Sequence, residues 1–252
     1  MNKSEDLNSY ELLKDLANIE NQFQDYSESF KYVQQMIQIK PKLDRQDRFL
    51  FYQVCRSLID PIRNNLRVYN DYIGQSDIQK ESSLYTELAN YRQKETEELF
   101  NFCKIGCNVI ESSLIPNAEN SQALAFYNKL SADLNRYSAE FAEGEDRQKY
   151  LEKANALYKS AYDIAINNLG TTDPVFLGTV LNYSVLLKDY LKQESEAIEL
   201  LNNAIRNAHQ NYKELSEASK DESFTIIKLM QINLKNWNGF DYTDDEEEEE
   251  GQ

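Results

Sequence analysis

The sequence is poor in residues that break chains: 252 residues include seven glycines and four prolines. Turns are therefore few and the elements between them long, which excludes a sheet protein needing a turn every ten residues or so and favours an all-helical fold. Cysteine is scarce as well. Cys55, Cys103 and Cys107 are an odd number without a secretory context, so reduced thiols are expected rather than a disulfide framework. His209 is the only histidine; Cys103 and Cys107 share a helix face but have no further soft ligand, so packing is expected rather than a zinc site. No apolar run approaches the length of a membrane span, and the polar, acidic start MNKSEDLNSYE does not read as a signal peptide. The expectation is a cytoplasmic protein without a cofactor.

Positive charge is also short, with 27 Lys and Arg against 43 Asp and Glu, a net charge of −16. The last fifteen residues, NGFDYTDDEEEEEGQ, hold eight of the acids and no base, which leaves −8 for the rest. A body this acidic repels nucleic acid and anionic membrane, both of which need a basic footprint. The partner class left is protein, and any basic pocket has to be local.

What is present is helical periodicity. Apolar residues recur at three and four, as in Leu7, Tyr10, Leu13, Leu16 and Ala17, or Tyr158, Ala161, Tyr162, Ala165 and Leu169, with no sustained alternation of period two. Breaks fall at 25–28, 39–43 around Pro41, 74–77, 115–120 around Pro116, 142–146, 168–174, 191–194 and 216–221, dividing the chain into about nine helices. Asn168-Leu169-Gly170 reads as a helix end with Gly170 left-handed, and Asp173-Pro174 as the N-cap and first turn of the next. A single all-helical domain is expected over 1–237, followed by a disordered acidic tail over 238–252.

Within this acidic body a few bases and amides share helix faces. Arg56 and Arg63 are seven apart, as are Lys129 and Arg136, so each pair lies on one face, and Tyr137 adds a hydroxyl beside Arg136. An arginine fork and a tyrosine hydroxyl suit a doubly charged phosphate. Bases at this spacing also make an ordinary solvated face. A second stripe runs through Leu181, Asn182, Val185 and Asp189, and a third through Leu229, Asn233, Asn236 and Trp237. Amides and apolar groups on one stripe can hold an extended peptide by its main chain, although each stripe alone also reads as the edge of a core.

Three long segments carry a resemblance: FYNKLSADLNRYSAEFAEGEDR (Phe126 to Arg147), DPVFLGTVLNYSVLLKDY (Asp173 to Tyr190) and DESFTIIKLMQINLKNW (Asp221 to Trp237). In this order they resemble signature regions of the 14-3-3 proteins, and the likeness covers nearly the whole folded length. The resemblance implies nine antiparallel helices around an amphipathic groove that reads phosphoserine or phosphothreonine in extended segments of signalling clients. It implies a phosphate pocket at Arg56, Arg63, Arg136 and Tyr137, with Arg56 where the family has a lysine. Lys129 matches a groove lysine, Asn182 and Asn233 the backbone clamps, Leu181, Val185 and Leu229 the apolar wall, and Trp237 the closing tryptophan. Asp189 replaces a glutamate and Asn236 an apolar residue. A homodimer or a heterodimer with a family member is implied, Asp25 and Lys94 keeping one pair of the family's dimer contacts; Gln22, where an arginine would face Glu98, keeps a monomer open.

The segment RSLIDPIRNNLR departs from the family pattern, with Ile62 in place of an arginine and Pro61 between the two pocket bases. Pro61 either kinks one helix, at a cost of about 3 kcal/mol, or starts a new one capped by Asp60. In the tail, Thr243 precedes a run of acids, the pattern that acidophilic kinases prefer, and six extended residues from Trp237 reach roughly 20 Å. Thr243 is therefore a candidate regulatory phosphosite from which the tail would compete for the groove. The alternative function is a helical-repeat scaffold of tetratricopeptide type that binds peptides without phosphate selectivity. An enzyme is not expected: the one dense acidic cluster lies on the tail, and no phosphate-cradling glycine loop or nucleophile elbow occurs.

Overall fold

Nine α-helices and no strand occur among the described residues of this computed structural model, which are 3–75, 82–211 and 217–238. The all-α expectation holds. Thr243 and the acidic tail lie outside the described residues. The chain divides into two units, 1–158 and 159–252. The first contains α1 (Lys3–Gln22), α2 (Tyr26–Ile39), α3 (Arg45–Gln75), α4 (Ser83–Val109), α5 (Ser121–Phe141) and the start of α6 (Gly144–Asn168). The second contains the end of α6, α7 (Pro174–Val185), α8 (Glu194–Gln210) and α9 (Glu217–Asn238).

Side-chain caps explain four of the helix starts. Asp25 accepts from the Glu28 amide at 3.1 Å, Ser82 from Tyr85 at 3.1 Å, Asn120 from Ala123 at 2.9 Å and Asp173 from Val175 at 2.8 Å. Each satisfies an amide that has no partner inside its helix, typically worth about 1 kcal/mol. The Asp173-Pro174 start is as expected. The end before it differs, because the left-handed residues are Gln24, Lys192 and Gly144, not Gly170. The Leu169 amide donates to the Ala165 carbonyl at 2.8 Å and the Asp173 amide to the Gly170 carbonyl at 3.0 Å, so the chain leaves α6 through a turn that needs no left-handed glycine. Helix α9 begins at Glu217, inside the break expected over 216–221.

Helix α3 runs through Pro61 without a break, so Asp60 does not cap a new helix. Pro61 faces solvent, while Ile59, Ile62 and Leu66 around it are buried. Burying three large apolar side chains outweighs the loss of one backbone bond. Two helices run on into π-helical turns, α4 into Ile110–Leu114 and α7 into Leu186–Tyr190.

In the first unit each helix from α1 to α5 packs on the next or nearly so, around Val33, Met36, Phe51, Val54, Leu66, Leu99, Ile110 and Tyr127. Gly106 lets α4 lie close to α5: a Cβ there would stand 2.8 Å from Leu134 Cδ1. Cys55, Cys103 and Cys107 are free and buried, and burial pushes the thiols of Cys103 and Cys107 up to about 12 and about 11. They pack as protonated side chains. In the second unit, α7 packs on α8 and α9, and Leu177, Val180, Leu201, Ala204, Met230 and Leu234 are buried at helical spacing. No helix among the described residues is long and apolar enough to cross a membrane.

Candidate functional site

Helix α5 is buried nearly all round, with every residue from Leu130 to Ala139 inside, yet it carries Lys129, Asp133, Arg136, Tyr137 and Glu140. Charges in such a position must be paired, because removing them from water costs several kcal/mol each. Asp133 is the centre of the pairing. Its carboxylate takes Lys129 Nζ at 2.8 Å, Arg136 Nη2 at 3.5 Å and the hydroxyl of Tyr158 from α6, which also accepts from Arg136 Nε at 3.1 Å. Burial works against the ionised carboxyl, but Lys129 and Arg136 hold it below the usual carboxylate range. Burial likewise opposes both bases, and the buried Asp133 charge helps raise Lys129 and Arg136 above their ordinary values.

Helix α3 brings a second row against this one. Arg63 is buried, donates from Nε and Nη2 to Glu140 at 3.0 and 2.7 Å, and stands 3.7 Å above the Tyr137 ring. Arg136 lies 4.8 Å from the centroid of the same ring, so two guanidinium groups stand against Tyr137. Burial pushes the Tyr137 hydroxyl up, keeping it a neutral donor. Arg67 reaches the other oxygen of Glu140 at 2.5 Å. Arg56 makes a fork to Asp60 with Nε at 2.6 Å and Nη2 at 2.5 Å, and donates to the Tyr52 hydroxyl at 3.1 Å. Lys129 Nζ lies 5.7 Å from the Tyr52 ring, which joins the two rows.

Arg56, Arg63, Lys129, Arg136 and Tyr137 are thus brought together. Reading the sequence for bases missed the acids and the extra base that hold them: Asp60, Asp133, Glu140 and Arg67. Arg56 with Asp60 and Lys129 with Asp133 are four apart, and Asp133 with Arg136 three apart, spacings at which helical side chains meet, so these pairs were open to detection. Glu140 with Arg63 is 77 residues apart and carried no local signal. The assembled cluster has five bases and three carboxylates, two positive charges in excess.

In the second unit Leu181, Asn182 and Val185 are half-buried along α7, and Asp189 is exposed on its π-helical turn. Helix α9, packed against α7, carries Leu229 and Asn236 exposed and Asn233 and Trp237 half-buried. Lys188 Nζ lies 5.6 Å from the Trp237 ring and 2.5 Å from Glu194, tying the end of α9 to the start of α8. These faces offer amides among apolar groups, with charged Lys188, Asp189, Lys192 and Glu194 gathered at the end of the α7 stripe.

A protein-family model described as 14-3-3 protein matches residues 16–238, a span that includes most of the first unit and the described part of the second. The chain is 30% identical over 223 residues to 14-3-3 protein 3 of Entamoeba histolytica, covering 88% of this chain and 92% of that one. It is 32% identical over 223 residues to the checkpoint signal transducer rad24 of Schizosaccharomyces pombe, covering 88% of this chain and 82% of that one. Identity to 14-3-3 protein I of Plasmodium falciparum is 32% over 216 residues, covering 84% of this chain and 82% of that one. The chain, all-helical among the described residues, with a basic cluster on α3 and α5 and matched by the family model over most of its length, belongs to the 14-3-3 family.

Proposed function

We propose that the protein is a phosphoserine- and phosphothreonine-peptide-binding adaptor that regulates client proteins in signalling, and not an enzyme. The observation that carries this reading is the charge surplus: five bases share three carboxylates around Tyr137 in a chain whose net charge is −16. A surplus of two positive charges matches phosphate on a serine or threonine, which carries about −1.5 to −2 at pH 7. Arg56, Arg63, Arg136 and Tyr137 would donate to the phosphate oxygens through charge-assisted bonds, with Lys129 adding a fourth base. The stripes of Leu181, Asn182, Val185 and Asp189, and of Leu229, Asn233, Asn236 and Trp237, would hold the peptide main chain through amides and apolar contact. The three buried thiols suit a reducing cytosol.

The test is a titration with one peptide in phosphorylated and plain form. The reading expects tight binding of the first alone. Equal affinity for both would favour a helical scaffold without phosphate selectivity. We also propose that the tail, with Thr243 phosphorylated, competes for the same bases in cis. Deleting residues 238–252 would then raise phosphopeptide affinity, and an unchanged affinity for both forms of Thr243 would reject self-inhibition. Association with a second copy or a family member is proposed as well, and sedimentation at rising concentration would read it.

A further inference from the structure

The three carboxylates in the basic cluster are not equivalent. The Asp133 side chain is 2% exposed and braced by Tyr158, and Glu140 is 15% exposed and clamped between Arg63 and Arg67. Asp60 is 28% exposed, the most open of the three, and the side chain of its partner Arg56 is 45% exposed. Its position follows from the unbroken helix, which places Asp60 one turn after Arg56 and three residues before Arg63. One oxygen takes the Nε and Nη2 edge of Arg56, and the other takes Arg63 Nη1 at 3.3 Å. Two edge-on N–H groups of an arginine are the donors that a phosphate would take. Asp60 therefore holds, as a resident anion, the donors through which a phosphorylated ligand would enter.

We propose that Asp60 is a specificity- and affinity-setting residue that competes with phosphate for Arg56 and Arg63 and holds the affinity of the site down. This rests on the phosphate-binding reading above. A phosphate reaching Arg56 either displaces the Asp60 carboxylate or shares the guanidinium with it at close range. In both cases the ligand meets a like charge, and the penalty grows with the ligand's own charge. A dianion is held back more than a monoanion. Relieving the competition should favour phosphate over a glutamate in the same peptide, the opposite of what loss of an orienting residue would do.

The experiment uses the full chain and fluorescence anisotropy with three peptides of one sequence carrying phosphoserine, glutamate or serine. Asp60→Asn and Asp60→Ser are compared with the parent at pH 7.5 and pH 5.5, two variants being used so that a folding defect in either does not decide the result. Expected are affinities about tenfold tighter for the phosphopeptide at pH 7.5 and about threefold tighter at pH 5.5, where the phosphate has lost most of its second charge. The glutamate peptide should gain about threefold and the plain peptide nothing. Both variants binding the phosphopeptide no tighter than the parent, while the parent still prefers phosphoserine to serine, would overturn this inference alone and make Asp60 an orienting residue. An equal gain at both pH values would overturn charge competition. A parent that does not distinguish phosphoserine from serine would remove the phosphate reading and this inference with it.

Discussion

Asp47 and Asp133, two buried aspartates of the first unit, are held by nearly the same set of groups. Asp47 on α3 takes the Tyr10 hydroxyl, Lys14 Nζ at 2.6 Å and Lys40 Nζ at 4.0 Å. Asp133 on α5 takes the Tyr158 hydroxyl, Lys129 at 2.8 Å and Arg136 at 3.5 Å. What differs is the surrounding charge. Asp44 accepts from the Asp47 amide at 2.9 Å and adds a second acid, and Glu11 acts on Lys14 as a third, so no positive surplus is left around the two lysines. Around Asp133 the pairing continues through Tyr137 and Tyr52 into α3, where the bases outnumber the acids. A buried acid tied to a tyrosine and two bases is a fastening of the fold. Under the proposed reading, surplus positive charge is what would turn one of the two fastenings into a site for an anion.

Removing the central acid should break both networks and separate their roles. Asp133→Ala is expected to lower stability by about 3–5 kcal/mol in urea unfolding, since buried Lys129 and Arg136 lose their partner, and Asp47→Ala by less, about 1–3 kcal/mol, since Lys14 and Lys40 are partly exposed and can turn to water. Only Asp133→Ala should also change phosphopeptide affinity in the protein that stays folded.

Acid titration should separate the roles without mutation. Asp133 and Asp44 both have carboxyls below the usual range in the folded state. Groups lowered on folding contribute stability that is present above the ordinary carboxylate value of about 4 and is lost as the pH falls through the folded values. Lys129 and Lys14 are raised, so their contribution is present below the ordinary lysine value and lost only as the pH rises through the higher folded values. Burial also raises the Cys103 and Cys107 thiols, whose contribution fades as the pH rises past the ordinary thiol value of about 8.5, so stability should stay level only from about pH 8 down to about pH 5. Phosphopeptide affinity should fall severalfold already below about pH 6, where phosphate takes up its second proton. Thermal melting and anisotropy over one pH series check both. The smallest expected effects come from the tyrosines: Tyr10→Phe and Tyr158→Phe each should cost about 1–2 kcal/mol of stability. Tyr158→Phe, which also frees Arg136 Nε, should weaken phosphopeptide binding about threefold.

Much of the fold could be read from the chain, because the scarcity of Gly and Pro makes each break stand out. Asp25, Asn120 and Asp173-Pro174 start helices where their chemistry says they should. Of the two readings of Pro61, a new helix capped by Asp60 fails, because the local preference is outweighed by the burial of Ile59, Ile62 and Leu66, a property of the packed unit. Gly170 misled because the chain turns there by an Asp173 amide bond to the Gly170 carbonyl, which needs no left-handed residue. In the candidate site the basic residues were legible through spacing and resemblance. The acids were not sought, although two of the three sit four residues from a base they hold, Asp60 from Arg56 and Asp133 from Lys129. Glu140 depends on α3 meeting α5, which no window along the sequence contains.

The most direct test of the account compares one phosphopeptide against the parent, the double variant Arg63→Ala with Arg136→Ala, and Lys14→Ala. Both changes remove bases from a buried network, but only the first removes surplus charge. The account predicts that the double variant loses at least about a hundredfold in affinity, as expected for two charge-assisted bonds, and that Lys14→Ala stays within about twofold of the parent. Equal affinity across all three proteins, or equal losses in the two variants, would contradict it.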